Sequence, residues 1–308
     1  MRCLPLLLLA APAWAEAPRV VADTAPVHSL VAQVMAGVGE PALLLPPGAS
    51  IHDAALRPSD ARALTEADVV IWTGEALLPR VGEAVAELAP EARVLALLDA
   101  PGWEPLPARE GTAFAAHDHD GEGHDHAEGE HAGHDHAVLD PHAWLDPAVA
   151  AAWLGSIAAT LAEADPANAE AYRANATTAA ARALSLGEDI RTRLLPLAGR
   201  GYAVGHDAFQ YFERAAGLPA AFAVAEASGA EPSPGDVAGL RAAVEAGEVA
   251  CVLSDAEAGP DWALTLVEGT NARMAAADPE GLALVPGPDL YAALLAGLAD
   301  ALEECIAP

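Results

Sequence analysis

The sequence predicts an α/β protein of two lobes with parallel-type sheets and helical sequence between them, and three observations carry that prediction. Short apolar runs alternate with helix-spaced segments in the first third of the chain. Ala-rich sequence with helical spacing fills the middle. Beyond Gly199 the alternation returns. With 308 residues there is enough chain for one large domain or two modest ones, each able to bury a core. Aromatics are 5%, and Ala, Leu and Val supply most of the 53% apolar content, which suits closely packed α/β units.

The elements follow in order. MRCLPLLLLAAPAWA combines Arg2, a short apolar run and an Ala13-Trp14-Ala15 ending, the pattern of a cleaved secretory signal over 1–15. The run is too short to span a bilayer, and Cys3 lies too early for lipid attachment, so a soluble exported chain is expected. Arg19 to Asp23 reads as a buried strand and His28 to Gly37 as a helix. Strands are predicted at Ala42 to Leu45, Val69 to Trp72 and Val94 to Leu98, with helices at Ser59 to Leu64 and Arg80 to Leu88 between them. Ser59 is the expected cap of its helix, fixing the loop before it. Pro101 to Asp140 is Gly- and acid-rich without periodicity and predicts a mobile insertion.

Helical spacing resumes over Pro147 to Leu161 and again from Ala167 to about Leu195, with an Asp165-Pro166 break between. The second stretch is long enough to bridge two lobes or to lie as an ordinary surface helix. Strands then follow at Tyr202 to Gly205, Ala221 to Val224 and Val249 to Leu253. Helices are predicted near Ala208 to Ala215, Asp236 to Ala246 and Tyr291 to Glu304. Cys251 and Cys305 remain after the signal. In an oxidising compartment they form a disulfide, stabilising by roughly 4 kcal/mol in the chain-entropy model, or else stay as two buried thiols.

A net charge of −30 argues against nucleic acid or an anionic membrane surface as partner and makes a cation the natural ligand. Eight of the 11 His fall between His117 and Pro147: His117, His119, His124, His126, His131, His134, His136 and His142. His28, His52 and His206 lie elsewhere. His52 follows a predicted strand, His142 sits in LDPHAWLDP and His206 ends YAVGH before a new helix, so all three belong at the strand-end edge where open parallel sheets bind ligands. Three neutral imidazoles make a nitrogen site suited to Zn²⁺, with a fourth position for water or a carboxylate. His28 is expected as a polar residue at a helix start, and Trp72 and Trp144 as packing near the cleft. Asp140 and Asp146 flank His142 and could orient it or cap turns.

GASIHDAALRPSD around His52, the His- and acid-rich insertion, DPHAWLDP around His142, GHDAFQYF around His206 and the late cysteines occur in an order that resembles the zinc-specific solute-binding proteins of bacterial ABC importers, the ZnuA type. The resemblance spans essentially the whole chain after the signal. It implies a first lobe over 16–163 that carries the His-rich loop at about 101–140, a rigid linking helix over 164–198 and a second lobe over 199–308, with the metal in the cleft. It also implies a monomer that is not membrane-spanning, Zn²⁺ as the transported ligand, a membrane permease as partner and no enzymatic activity. His52, His142 and His206 match the three His ligands of the family. Some members carry a carboxylate just before the first of these, where this chain has Ile51, which cannot ligate. Asp278 in NARMAAADPEG resembles the late Asp that serves as fourth ligand in related binders; otherwise water completes the set.

The insertion resembles the family's collecting loop, with His117, His119, His124, His126, His131, His134 and His136 as auxiliary zinc ligands. Many His on a disordered chain give weak, exchangeable sites, since each binding event must order the chain. Neutral imidazole is the ligand form, so such sites lose metal as pH falls through about 6.5. A manganese or iron binder of the same fold is the nearest alternative, although harder ions favour more carboxylates. A zinc hydrolase would need a general base and substrate pocket that no motif supplies, and HExxH is absent. A storage protein would rest on the loop alone.

Overall fold

Two four-stranded sheets, every strand pair parallel, organise the chain in a computed structural model described for residues 17–49, 51, 56–109, 139–225, 234–255 and 259–306. The first contains β1 (Val20–Ala22), β2 (Ala42–Leu43), β3 (Val69–Trp72) and β4 (Arg93–Ala96) in the order β2-β1-β3-β4. Helices α1 (Ala25–Val34), α2 (Pro58–Glu66) and α3 (Pro79–Leu88) make the crossovers. The central strands are apolar at every position because a parallel sheet is covered on both faces. α1 begins at Ala25 rather than His28, since Pro26 has a preset φ and fits the first turn.

One local expectation is corrected here. The residue before α2 is Arg57, whose N–H donates to the Asp60 carboxylate at 2.8 Å and whose guanidinium grips the same group, while the Ser59 hydroxyl also donates to Asp60. Ser59 is therefore inside the helix, not its cap. Trp72, the last residue of β3, packs onto α3. A Cβ at Gly82 would stand 2.8 Å from the Trp72 ring, so only Gly admits this approach.

α4 (Pro147–Ala164) and α5 (Ala169–Leu194) pack along each other across the Asp165-Pro166 break, where Asp165 accepts from Asn168 and the Tyr172 hydroxyl. α4 is, among the described residues, the helix long and apolar enough to cross a membrane, and half of it is buried in this packing. The second sheet contains β5 (Gly201–His206), β6 (Phe222–Ala225), β7 (Val249–Ser254) and β8 (Arg273–Ala276) in the order β6-β5-β7-β8. Around it lie α6 (Gln210–Ala216), α7 (Pro234–Glu245), α8 (Asp261–Val267) and α9 (Leu290–Ile306). α5 touches α1 beside the first sheet and α6 and α9 beside the second, so it bridges the two units. β8 and α8 were not expected from sequence: both are short, and β8 is an edge strand with Arg273 and Met274 exposed, which hides the apolar signature.

One large core runs through both units, and a smaller one fills the space between the second sheet, α7 and α8. Polar contacts also cross between the units. The Ser29 hydroxyl of α1 donates to Pro288 O and accepts from the Tyr291 N–H of α9. The disulfide Cys251–Cys305 ties α9 to β7.

The insertion between β4 and α4 is less mobile at its ends than its composition suggested. Pro107 and Leu139 form an antiparallel bridge, and Gln210 of α6 donates to Pro107 O at 2.9 Å and to Asp140 at 3.1 Å. Leu106 N–H donates to the Tyr211 hydroxyl. Residues 110–138, which carry the seven repeated His, lie outside the described residues.

Candidate metal centre

His142 and His206 come from different units and meet at the carboxyl ends of the sheets. His206 is the last residue of β5, and His142 begins the short turn Ala143–Leu145 just before α4. Both are buried, at 0% and 2% exposure. The Asp140 carboxylate accepts from the His142 backbone N–H and from its ring Nδ1, each at 2.9 Å. Asp255, immediately after β7, accepts from His206 Nδ1 at 3.2 Å. A carboxylate on Nδ1 fixes the tautomer with the proton there and leaves the Nε2 lone pair for a cation. The two ring centroids are 5.4 Å apart at 60°. Two imidazoles that share one tetrahedral zinc through Nε2, at about 2.0 Å each, place their centroids about 5 Å apart. The pair fits one ion.

The turn carrying His142 is held from the second unit. Trp144 Nε1 donates to Pro279 O at 2.9 Å, the Tyr291 hydroxyl donates to Trp144 O at 2.9 Å, and the Trp144 ring meets His142 edge-on at 5.3 Å. Trp144 thus packs beside the site, as expected, and fixes it to the segment after β8. Asp146 caps α4 by accepting from Ala148 N–H and also receives the Arg214 guanidinium, so it is structural. Asp140 orients imidazole.

Of the remaining expected residues, His52 lies outside the described residues. His28 hydrogen-bonds Pro41 O through Nε2 at 3.1 Å, joining α1 to the chain before β2; burial pushes its pKa down, against the effect of that bond. It serves the helix rather than the centre. Asp278 is turned to its own loop: one oxygen accepts from Leu282 N–H and the other from Ala283 N–H, each at 2.9 Å. Glu280, two residues later and 2% exposed, has its carboxylate 3.8 Å from His206 Nε2. The sequence did hold a signal for the turn role of Asp278. Asp-Pro-Glu-Gly has Asp, Pro and Gly at the positions a type I turn favours, which commits the Asp to the turn.

A second buried network flanks His206. Arg109, the last described residue of the insertion's leading end, pairs with Asp207 and donates to Glu213 at 2.7 Å. Glu213 in turn accepts from the Tyr202 hydroxyl and Ala221 N–H. Burial pushes the Glu213 carboxyl up despite the Arg109 charge beside it, so the guanidinium offsets only part of the desolvation. No sequence pattern marked Arg109, because its partners lie about a hundred residues away. On the opposite side, Asp23 closes the end of β1 by accepting from Thr24 N–H at 2.7 Å and Thr73 N–H at 2.6 Å. Burial raises its pKa to about 6, against the lowering effect of those bonds.

Two parallel α/β units bridged by a long helix, with imidazoles from both sides facing one point, define a metal-binding protein of the solute-capture class. The family model described as zinc-uptake complex component A, periplasmic, matches residues 20–305, and the chain belongs to that ZnuA family. It is 41% identical over 325 residues to the high-affinity zinc uptake system protein ZnuA of Paracoccus denitrificans (strain Pd 1222), covering 96% of this chain and 94% of that protein. A crystal structure of ZnuA superposes with TM-score 0.78 at 20% identity over 94% of this chain and 100% of that one. A ZnuA deletion mutant with zinc bound gives 0.76, over 95% and 99%.

Proposed function

We propose that this chain captures periplasmic Zn²⁺ at a single tight site and delivers it to the membrane permease of an ABC zinc importer. The observation that carries the reading is the pair of buried imidazoles, His142 and His206, each with Nδ1 on a carboxylate and the rings 5.4 Å apart. His52 is the third imidazole of the set. Asp278, expected as the fourth donor, acts instead as the residue that holds the turn after β8. The His of the insertion, His117 to His136, collect zinc for this site; the described ends of the insertion, at Pro107 and Asp140, are held by Gln210 of α6.

Residues 1–15 act as a signal that export removes, and the mature chain works as a monomer outside the membrane. Its division is a first lobe over 16–163, a linking segment over 164–198 that contains α5, and a second lobe over 199–308. The segment Pro101 to Asp140 belongs to the first lobe by sequence, yet its ends are gripped by the second, so it couples the two.

Calorimetric titration of the mature protein tests the reading. One tight Zn²⁺ per molecule is expected, resistant to competing Mn²⁺ and lost in His52→Ala, His142→Ala and His206→Ala. Tight binding that survives all three substitutions would sink it.

A further inference from the structure

We infer that Gln210 is a positioning residue of the centre: through the Asp140 carboxylate it sets the His142 ring against His206, across the boundary between the two units. Its consequence for zinc rests on the zinc-capture reading above; its consequence for the ring does not. Gln210 is the first residue of α6, and His206 is the last of β5, so one short segment delivers both an imidazole and this amide. That segment is fixed by Asp207 N–H on Ala225 O at 3.0 Å and Ala208 N–H on His206 O at 2.8 Å. The Gln210 amide nitrogen donates to Asp140 Oδ2 at 3.1 Å and to Pro107 O at 2.9 Å. A carboxylate and a peptide carbonyl only accept, so the amide NH2 must face them, one proton to each.

Asp140 is committed on both oxygens. Oδ1 accepts from the His142 backbone N–H and from its ring Nδ1, each at 2.9 Å, while Oδ2 takes the Gln210 amide. An acceptor-only carboxylate requires the ring proton on Nδ1, which directs Nε2 away from Asp140. Asp140 and His142 are both at 0% exposure, so bulk water does not reach that carboxylate and the donor that pins Oδ2 comes from the protein. Without Gln210 the carboxylate can turn about its own side-chain bond, and the hydrogen bond that selects the His142 tautomer loosens with it. Other bonds hold only the backbone nearby: Asp140 N–H donates to Leu106 O at 3.0 Å, and Leu106 N–H to the Tyr211 hydroxyl at 2.8 Å. Neither touches the Asp140 carboxylate, which separates holding the insertion's ends from setting the ring.

The test reads Zn²⁺ affinity against a competing chelator and, in the metal-free proteins at a pH where imidazole is neutral, the ring-nitrogen NMR signals of His142, identified as those missing from His142→Ala. Gln210→Met keeps the length of the side chain and removes both donors. Tyr211→Phe is the control, since it removes the hydroxyl that holds Leu106 and leaves the Asp140 carboxylate alone. The unaltered chain should show His142 with its proton on Nδ1 only. Gln210→Met should show a mixture of tautomers and bind zinc about threefold to tenfold more weakly, less than the loss usual for a ligand's direct partner because Gln210 acts one bond further out. Tyr211→Phe should keep the single tautomer and an affinity within about twofold, whatever it does to the melting temperature. Metal-free melting curves show whether Gln210→Met folds, and Gln210→Ala carries the same comparison if it does not. The inference is overturned if the folded Gln210 variant keeps the single tautomer or an affinity within about twofold of the unaltered chain, or if Tyr211→Phe moves the tautomer as far. A mixture already present in the unaltered chain would overturn it too. Absence of tight binding in the unaltered chain would sink the zinc-capture reading and leave the tautomer result to decide the role of Gln210.

Discussion

Asp140 and Asp255 do the same work for two rings: each accepts from a ring Nδ1, which on the proposed reading directs Nε2 at the ion. Asp140→Ala should lower zinc affinity tenfold to a hundredfold by freeing the ring, and it should also lower the metal-free melting temperature, because the buried His142 N–H and Gln210 lose their acceptor. Chelator competition beside a melting curve checks this. Asp23 yields a prediction in pH. Its folded pKa of about 6 lies above the ordinary 3.8, so its contribution favours the folded state most below about pH 4 and is lost as pH rises through about 6. Relative to Asp23→Asn, the unaltered chain should lose stability on the order of 3 kcal/mol between pH 4 and 7. Denaturant midpoints across that range, showing no divergence, would contradict the burial argument. At this scale the sequence marked His142 and His206 by their isolation in turn-like motifs. It left Asp255 unmarked, because a carboxylate in a loop looks the same whether it caps a turn or orients a ring.

At the scale of elements, apolar runs located seven of the described strands, and the exposed edge strand β8 escaped for want of one. The insertion's ends escaped for another reason. What holds them is α6, through Gln210, Tyr211 and Glu213, and no local pattern in 101–109 reports a partner that distant. Arg109 is the strongest of these ties. Arg109→Ala leaves Asp207, fully buried, and Glu213 without that guanidinium, and the cost should be about 3–5 kcal/mol of stability, read as a lowered denaturant midpoint. A change under about 1 kcal/mol would show that the network is peripheral. The Cys251–Cys305 bond makes a second tie, α9 to β7, across 54 residues. The double Cys→Ser variant should lose roughly 4 kcal/mol in the chain-entropy model, with the same readout.

For the whole molecule, the two parallel sheets, the bridge of α5 and the crossing bonds at Ser29 and Trp144 place imidazoles from separate halves against one another. That arrangement was legible as a pattern of strands, helices and His positions. The contacts that hold it were not, since bonds such as Ser29 to Pro288 join residues 259 apart in sequence. A further consequence is a division of labour between the His-rich insertion and the buried centre. The direct measurement is a zinc titration of the chain lacking 117–136, with and without His142→Ala. One tight zinc per molecule is predicted to survive the deletion and to vanish when His142→Ala is added. Tight binding lost with the deletion alone, or kept after both changes, would contradict the account.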